Sequence, residues 1–545
     1  MQQVFARDEA GNIGHILIAP FHGVPGEGAG CSNCNSSTPS TGGLILMVLV
    51  GGLLVLRPRR RLLRTLAKKP VVVQLALWVG LSTVLSIVPG CSCSDASSCE
   101  LFSDCPECPS GEIAFCLDGT CACSDDILIG KLGAYSDVAA GSDGSVWVSA
   151  YHNQYGDLVV ARADAGGRIP DAAWEWVDGV PDGPVIVPQS LYRHGIAEKG
   201  EDVGMYTSVA VQSDGTPQVT YFDRDTGSLR FAERGADGAW VKHVIQAGTG
   251  DLGGGEIGQS GALIGMYTSL SLRGDDGKPG VAYLAHVAEG ANRRAEVRFA
   301  TASTTHPASA ADWKVYVVES APLPAEDPAN PNIYPLPEGL GLFVDLNRMP
   351  DQSPVIVYYD RSAGELKLTK FDTANDRFKV SVVLDGTGDV DAGWSPSVAV
   401  DPQGIVHVAY VDATKDDLVY VTDAAGAPRE VVDDGLRIVG TTVDGLPKPE
   451  YHFVGDDASL VLANGSFPMI VYQDATTQEL LLSRKLTTGW DRKSIAGHTD
   501  PWPGGYGFFA ANAIQVNDLV VSNWVIDQPI DENWIEVFRL QIAVE

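Results

Sequence analysis

The stretch Gly204-Met-Tyr-Thr-Ser-Val-Ala-Val-Gln-Ser-Asp-Gly-Thr-Pro-Gln-Val-Thr-Tyr-Phe-Asp223 decides the fold. Small and apolar side chains alternate from Ser208 to Val211. Ser213-Asp-Gly215 supplies turn chemistry, and a second alternating run leads to Tyr221. Period-two alternation on both sides of an Asp-Gly turn marks an antiparallel hairpin. The unit is copied along the chain. Met205-Tyr-Thr-Ser208 returns intact as Met266-Tyr-Thr-Ser269. Its leading glycine recurs at Gly133, Gly204, Gly265, Gly341, Gly393, Gly455 and Gly507, with gaps of 71, 61, 76, 52, 62 and 52 residues. A large aromatic follows each glycine. It comes 17 residues on at Tyr221, Tyr358, Tyr410, Tyr472 and Trp524, and 18 on at Tyr151 and Tyr283.

Each repeat continues with a third run, such as Leu366-Lys-Leu-Thr369, and a fourth that starts from an aromatic, such as Trp240, Trp313, Phe378 or Trp490. Four strands repeated seven times predict an all-β, seven-bladed β-propeller. The seventh repeat is the most divergent, so six blades stand as the alternative. A solenoid would need a more even period. The seventh repeat ends in Trp534–Ile542 and lacks a fourth strand. Asp126–Leu132, ahead of the first repeat, is the strand expected to complete it and leave the ring without an open edge.

The 69 acids outnumber the 38 bases, giving a net charge of −31. Phosphate binding needs a basic surface, so nucleic acid is excluded as a main partner. Four segments are expected: a low-complexity 1–41, two apolar runs around a basic block over 42–90, a cysteine-rich module over 91–123, and the propeller over 124–545. Gly42–Leu56 and Val71–Val88 are uncharged runs, and Arg57, Arg59, Arg60, Arg61, Arg64, Lys68 and Lys69 lie between them. The basic block is expected on the cytoplasmic side and everything after Val88 across the membrane. Eight cysteines follow in 91–123: Cys91, Cys93, Cys99, Cys105, Cys108, Cys116, Cys121 and Cys123. Such density in an oxidising compartment reads as disulfides, with zinc as the weaker alternative because Cys121-Ala-Cys123 is tight for a ligand pair. The apolar run ending in Val88-Pro-Gly-Cys91 resembles a bacterial lipoprotein signal. That resemblance implies that Cys91 is lipidated; an uncleaved signal anchor is the other reading. Acylation would leave seven cysteines in the module, one of them free or paired between molecules. Cys31-Ser-Asn-Cys34 and the following run to Arg61 resemble a myxobacterial C-terminal sorting tail, here at the opposite end.

Chain direction puts the connections between blades and the turns between second and third strands on one face. The long insertions, about 180–203, 248–264, 320–340 and 433–454, fall there, so that face is expected to bind. Asp223, Asp360, Asp412 and Asp474 lie two residues past the repeat aromatic, and Asp527 lies three past Trp524. They read as a site for a cation such as calcium, as several equivalent ligand pockets, or as acceptors that start the turn. No other cofactor is expected. Tyr135, Tyr206, Tyr267, Phe343 and Trp394 open the first strands. They either stack on sugars near the axis or pack between blades. Tyr192, Arg193 and His194 form a polar cluster in the first long insertion.

Catalytic patterns are thin. No H-E-x-x-H, G-x-S-x-G or phosphate-binding G-x-x-x-x-G-K-[ST] occurs. Ser142-Asp-Gly-Ser-Val-Trp147 does not fit the sialidase Asp-box spacing, and Arg273-Gly-Asp275 reads as turn chemistry. The repeats from Asp126 to Glu545 resemble those of bacterial extracytoplasmic propellers, including lectin-like and sialidase-like members. That resemblance is specific for fold and not for ligand; with the tether and the disulfide stalk, the expectation is a membrane-tethered binding or adhesion module of the cell envelope, for glycans or envelope proteins. The alternatives are a hydrolase or lyase using rim carboxylates and a non-catalytic scaffold.

Overall fold

The computed structural model describes the backbone strands Gln2–Arg7 and Ile13–Ile18, and then the chain from Cys99 to Ile542. Excluded within that span are 100–103, 109–111, 118–119, 128–129, 250–259, 290–291, 324–338, 443, 498–504 and 528–531. The two early strands form an antiparallel hairpin, Gln2 opposite Ile18. The apolar runs, the basic block, the tail-like segment, Cys91 and Cys93 lie outside the described residues. Among the described residues no helix is long and apolar enough to cross a membrane.

Seven antiparallel sheets follow, six of them meanders whose strands pair in chain order, while the seventh takes its outermost strand from another blade. Blade one runs Leu132–Ala140, Val146–His152, Asp157–Arg162 and Trp174–Asp178. Blade two runs Val203–Val211, Pro217–Asp223, Ser228–Arg234 and Trp240–Gln246. Blades three, four, five and six repeat the plan from first strands Ser260–Leu272, Leu340–Arg348, Ala392–Val400 and Val454–Ala463. Blade four splits its outer strand into Arg377–Phe378 and Val382–Asp385. Blade seven holds Gly505–Gln515, Asp518–Asp527 and Glu532–Gln541. The first strands pack against one another around the ring. Seven buried apolar clusters fill the seven junctions between neighbouring blades. Leu132, Val148 and Val159 of blade one share a cluster with Val520, Trp524 and Val537 of blade seven, so the ring closes at seven blades rather than six.

The closure is not the expected one. None of the described residues of Asp126–Leu132 pairs with blade seven; the buried Ile127 packs on Phe115, Tyr155, Val187 and Ala197. The reason is reach. This segment continues without a gap into Leu132–Ala140, the innermost strand. An outermost strand lies three spacings away, about 14 Å. In blade four, residues 386–391 cover that distance between Val382–Asp385 and Ala392–Val400; nothing separates Asp126–Leu132 from the strand it would have to leave. The free edge of blade seven is covered instead by Gly167–Arg168, from the loop before the fourth strand of blade one. Ile169 N–H extends this pairing to Ile535 O at 3.0 Å, and the Arg168 guanidinium lies 5.0 Å over the Trp534 ring.

The repeated glycine sits where blades touch. Gly204 has φ +105°, and a Cβ there would meet Leu158 Cα of blade one at 2.8 Å. Only glycine meets both demands. The register slips on either side of Met205, and Tyr206 takes a left-handed φ of 53°. The same left-handed residue falls two places after the glycine in every blade: Tyr135, Tyr206, Tyr267, Phe343, Ser395, Asp457 and Phe509. This bulge turns its side chain toward the axis and lets the strand resume its pairing beyond it.

Two residues further on, a polar side chain reaches across to the next blade. Asp137 accepts from Val209 N–H (2.9 Å), Ser208 from Leu270 N–H (3.1 Å), and Ser269 from Leu346 N–H (3.0 Å). Asp345 accepts from Val398 N–H (2.7 Å), Ser397 from Leu460 N–H (3.1 Å), and Ser459 from Asn512 N–H (3.1 Å). Blade seven has Ala511 there, and Val138 N–H turns back to Asp137 (2.8 Å). The chain of clasps therefore has one break, at the junction where the two ends of the ring meet.

The cysteine-rich module contains three disulfides, Cys99–Cys116, Cys105–Cys121 and Cys108–Cys123, which staple the hairpin Ile113–Leu117 and Thr120–Ser124. Cys99, Cys105 and Cys121 sulfurs cluster closely enough for a metal, but each is committed to a disulfide and offers no thiolate. Phe115, 1% exposed, seats the module on the 180–203 insertion.

Burial raises the Asp137 carboxyl to about 6, against the hydrogen bonds that favour its charged form. A raised folded value means that the group's contribution is present below the unfolded value, near 4, and is lost as pH rises through 6. Asp137→Ala should therefore destabilise the fold at both pH values, but by about 1 kcal/mol more at pH 5 than at pH 8. Denaturant unfolding of both proteins at the two pH values checks this; a cost independent of pH would contradict it.

Candidate functional site: the axial mouth

The aspartates that close the second strands share one structural position only in part. Asp223, Asp360, Asp412 and Asp474 stand opposite the residue before the repeat glycine, at Val203, Leu340, Ala392 and Val454. Blades one and three have His152 and Ala285 there. Asp527 lies one place past Ile526, the last residue of its strand that pairs with Gly505–Gln515, so it does not belong to this ring. Each of the four caps its turn. Asp223 accepts from Thr226 N–H (3.0 Å), Asp360 from Ser362 N–H (3.2 Å), Asp412 from Thr414 N–H (3.0 Å) and Asp474 from Thr476 N–H (3.1 Å).

Their remaining oxygens join a clamp between blades. Tyr221 donates to Asp178 at the end of blade one (2.7 Å), and Arg230 bridges Asp178 (2.9 Å) and Asp223 (2.5 Å). Tyr358, Glu319, Lys367 and Asp360 repeat the arrangement. Tyr410, Asp385, Arg429 and Asp412 do so again. Tyr472, Asp433, Arg437 and Asp474 form a fourth copy, to which His452 adds a 2.8 Å contact with Asp474. Burial pushes the Asp178, Asp385 and Asp433 carboxyls up, but the cations and phenols around them outweigh it and hold all three below the usual range. These carboxylates are engaged in holding blades together.

The aromatics that follow the repeat glycines converge on the axis. Phe509 and Tyr135 lie 5.0 Å apart by ring centres, Tyr135 and Tyr206 4.6 Å, Tyr206 and Tyr267 4.3 Å, and Tyr267 and Phe343 5.1 Å. Trp394 extends the arc from Phe343 at 4.9 Å. It occupies the place one after the glycine, so blade five has Ser395 where the others have an aromatic, and blade six has Asp457. Burial drives the Tyr135, Tyr206 and Tyr267 hydroxyls far above the ordinary phenol value, and the neighbouring phenols act on one another electrostatically.

A second tier backs this iris. Tyr151, Phe222 and Trp524 approach Tyr135, Tyr206 and Phe509 at about 6 Å, and Tyr359 approaches Trp394 at 5.9 Å. This corrects the expected register. Tyr151 and Trp524 pair across the sheet as Phe222 does, one residue later than Tyr221. A one-residue slip sends a side chain to the opposite face. Tyr221, Tyr283, Tyr358, Tyr410 and Tyr472 keep the expected place, and each donates to the fourth strand of the preceding blade.

The mouth above the iris carries groups that sequence reading passed over. Arg224 pairs with Asp202 at 3.0 Å, and Tyr151 donates to Asp202 at 2.8 Å. Tyr359 donates to Asp391 at 2.7 Å, and Arg361 acts electrostatically on Tyr359 and Tyr267. A signal existed: arginine directly follows the turn aspartate in blades two and four, at Asp223-Arg224 and Asp360-Arg361. Tyr192, Arg193 and His194 do not form one site. Arg193 is fully buried, pairs with Asp157 at 2.6 Å and anchors the insertion through Ile196 O and Glu198 O. Its guanidinium lies 4.0 Å over Tyr155. Tyr192 is half-buried and His194 exposed.

No family model and no curated protein matches the chain. Similar solved structures include puromycin hydrolase, at 15% identity over 76% of this chain and TM-score 0.43; the match spans about half of that enzyme, 55%. A protein of unknown function from Dyadobacter fermentans is 10% identical over 80% of this chain and 98% of its own, TM-score 0.40. An α-L-arabinofuranosidase from Fusarium graminearum is 13% identical over 62% and 92%, TM-score 0.37. At these identities and TM-scores no neighbour's activity is carried over to this chain.

Proposed function

We propose that the chain is a non-catalytic binding module of the cell envelope whose axial mouth takes a carbohydrate. The observation that carries this reading is the iris: a floor of partly exposed aromatic rings under a rim of guanidinium, carboxylate and phenol groups. Aromatic faces stack on the apolar faces of sugars, and Arg–Asp pairs and phenols present donors and acceptors for hydroxyls. Catalysis by the rim carboxylates finds less support, because Asp223, Asp360, Asp412 and Asp474 are each held by a turn and a cation.

The purified full chain on a glycan array should bind a defined set of sugars, and Arg224→Ala with Arg361→Ala should abolish that binding while Asp527→Asn leaves it intact. Turnover of a polysaccharide that is lost with Asp360→Asn would instead favour the hydrolase or lyase. The tether belongs to the same reading: an acyl group on Cys91 would hold the module at the envelope. Cys91→Ser should then eliminate fatty-acid labelling of the cells' copy of the protein; labelling that persists would refute the acyl anchor.

A further inference from the structure

The insertion before blade six carries a hairpin that belongs to no blade. Leu436–Thr441 pairs with Pro447–Tyr451, and among the described residues no further strand joins either edge. Leu436 stands opposite Tyr451, Arg437 opposite Glu450, and Ile438 opposite Pro449. Opposed residues share a face, and successive ones alternate. Leu436, Ile438, Pro449 and Tyr451 therefore make an apolar face, and Arg437, Val439, Lys448 and Glu450 make the other. Arg437 fixes that second face to the ring through Asp433 (2.9 Å) and Asp474 (3.1 Å). The apolar face is turned to solvent: Ile438 is 60% exposed and Tyr451 76%. A two-stranded ribbon with an uncovered apolar face is marginal in water by itself.

The two edges of the ribbon differ. His452 N–H donates to Gly435 O at 2.9 Å, one step before the pair of Leu436 and Tyr451. Bonded and non-bonded pairs alternate along an antiparallel ladder, so Leu436, Ile438, Pro449 and Tyr451 aim their backbone groups outward. Pro449 has no N–H to offer, which blunts its edge. Leu436 and Ile438 present both N–H and C=O on an open one. We propose that this open edge pairs with the same edge of a second copy of the chain, antiparallel, about a two-fold axis through Ile438. The strand suits its own copy. Ile438 meets Ile438 and Leu436 meets Gly440, which keeps the apolar faces on one side of a four-stranded sheet. Arg437 faces Val439, so no like charges oppose. Arg437 and Lys448 balance Asp444 and Glu450, which makes the hairpin neutral within a chain of net charge −31. Two copies approach there at the least electrostatic cost. A contact of one short strand falls below the roughly 800 Å² per partner of a stable dimer, so association is weak and rises with local density. On the reading of the axial mouth above, a pair of copies carries two mouths and gains avidity for one glycan.

The test is sedimentation equilibrium of the purified full chain in detergent over a concentration series. The mean mass should climb from that of one chain toward that of two. Ile438→Lys sets two ammonium groups face to face and should weaken association at least about tenfold, with the melting temperature unchanged. Lys448→Ala, on the far strand, should associate as the wild type does. If Ile438→Lys melts early, Ile438→Cys gives the reading: mild oxidation should link two copies through it, and should not do so through Val516→Cys, an exposed site elsewhere on the ring. A wild type still monomeric at about 100 μM, association retained in Ile438→Lys, or equal cross-linking of Ile438→Cys and Val516→Cys would each overturn the proposal.

Discussion

The structure depends on how closely one sheet can approach the next. At Gly204 the first strand of blade two meets the backbone of Leu158, with no room for a Cβ. Gly265 against Leu229 and Gly393 against Leu366 repeat the contact, each at 2.8 Å from the hypothetical Cβ to Cα. The contact makes other features feasible. It brings Ser208 within reach of Leu270 N–H in the next blade, and it places a left-handed residue where its side chain must turn inward. A clasp along the first strands, an aromatic iris at the axis and a polar clamp farther out are three consequences of one repeated backbone geometry.

The ring departs from that plan where its ends meet. Blade seven has Ala511 in place of a clasp residue, and its outer edge is covered by the short segment Gly167–Arg168 rather than a full strand. Blade one has Ala150, and blade seven Asn523, where the clamp tyrosine stands elsewhere. The chemistry explains the loss in blade one. The blade before blade one contributes only a two-residue outer strand, with no carboxylate at its end for a tyrosine to reach. Aromatic packing takes over there: Tyr151 and Trp524 sit one residue later and back the iris instead. This junction lacks the clasp and the clamp tyrosine; it is held by apolar burial, edge pairing and bonds of its own, such as Ser136 to Phe509 O (3.3 Å) and Arg539 to Ala163 O (3.2 Å).

Much of this was legible in the residues. The glycine series, the period-two runs and the Asp-Gly turns carry strand, hairpin and blade count, because backbone demands repeat wherever the geometry does. The disulfide reading of Cys99–Cys123 followed from density alone. What stayed hidden depends on contacts between segments far apart in the chain. The cation facing Asp223 is Arg230, seven residues on, whereas Asp412 uses Arg429, seventeen on, and Asp474 uses Arg437, from an insertion that precedes it. No spacing rule covers all three. The shift of Tyr151 and Trp524 was masked because hairpin loops of different length give similar offsets from the glycine. Trp394 likewise concealed Ser395, since an aromatic one place early looks like a match. Arg193 read as one of a polar cluster with Tyr192 and His194 because nothing in its neighbourhood announces Asp157, 36 positions back.

The central claim is that the repeated glycine is required for the contact between blades and not merely for its backbone angle. Gly144 separates the two demands: it has φ +88° like the repeat glycines, but a Cβ there would meet nothing within 4 Å. Denaturant unfolding of Gly204→Ala and Gly144→Ala is the direct comparison. Gly144→Ala should cost about 1 kcal/mol, for backbone strain alone. Gly204→Ala should cost about 3 kcal/mol or more, because blade one must move as well. Equal costs would contradict the account.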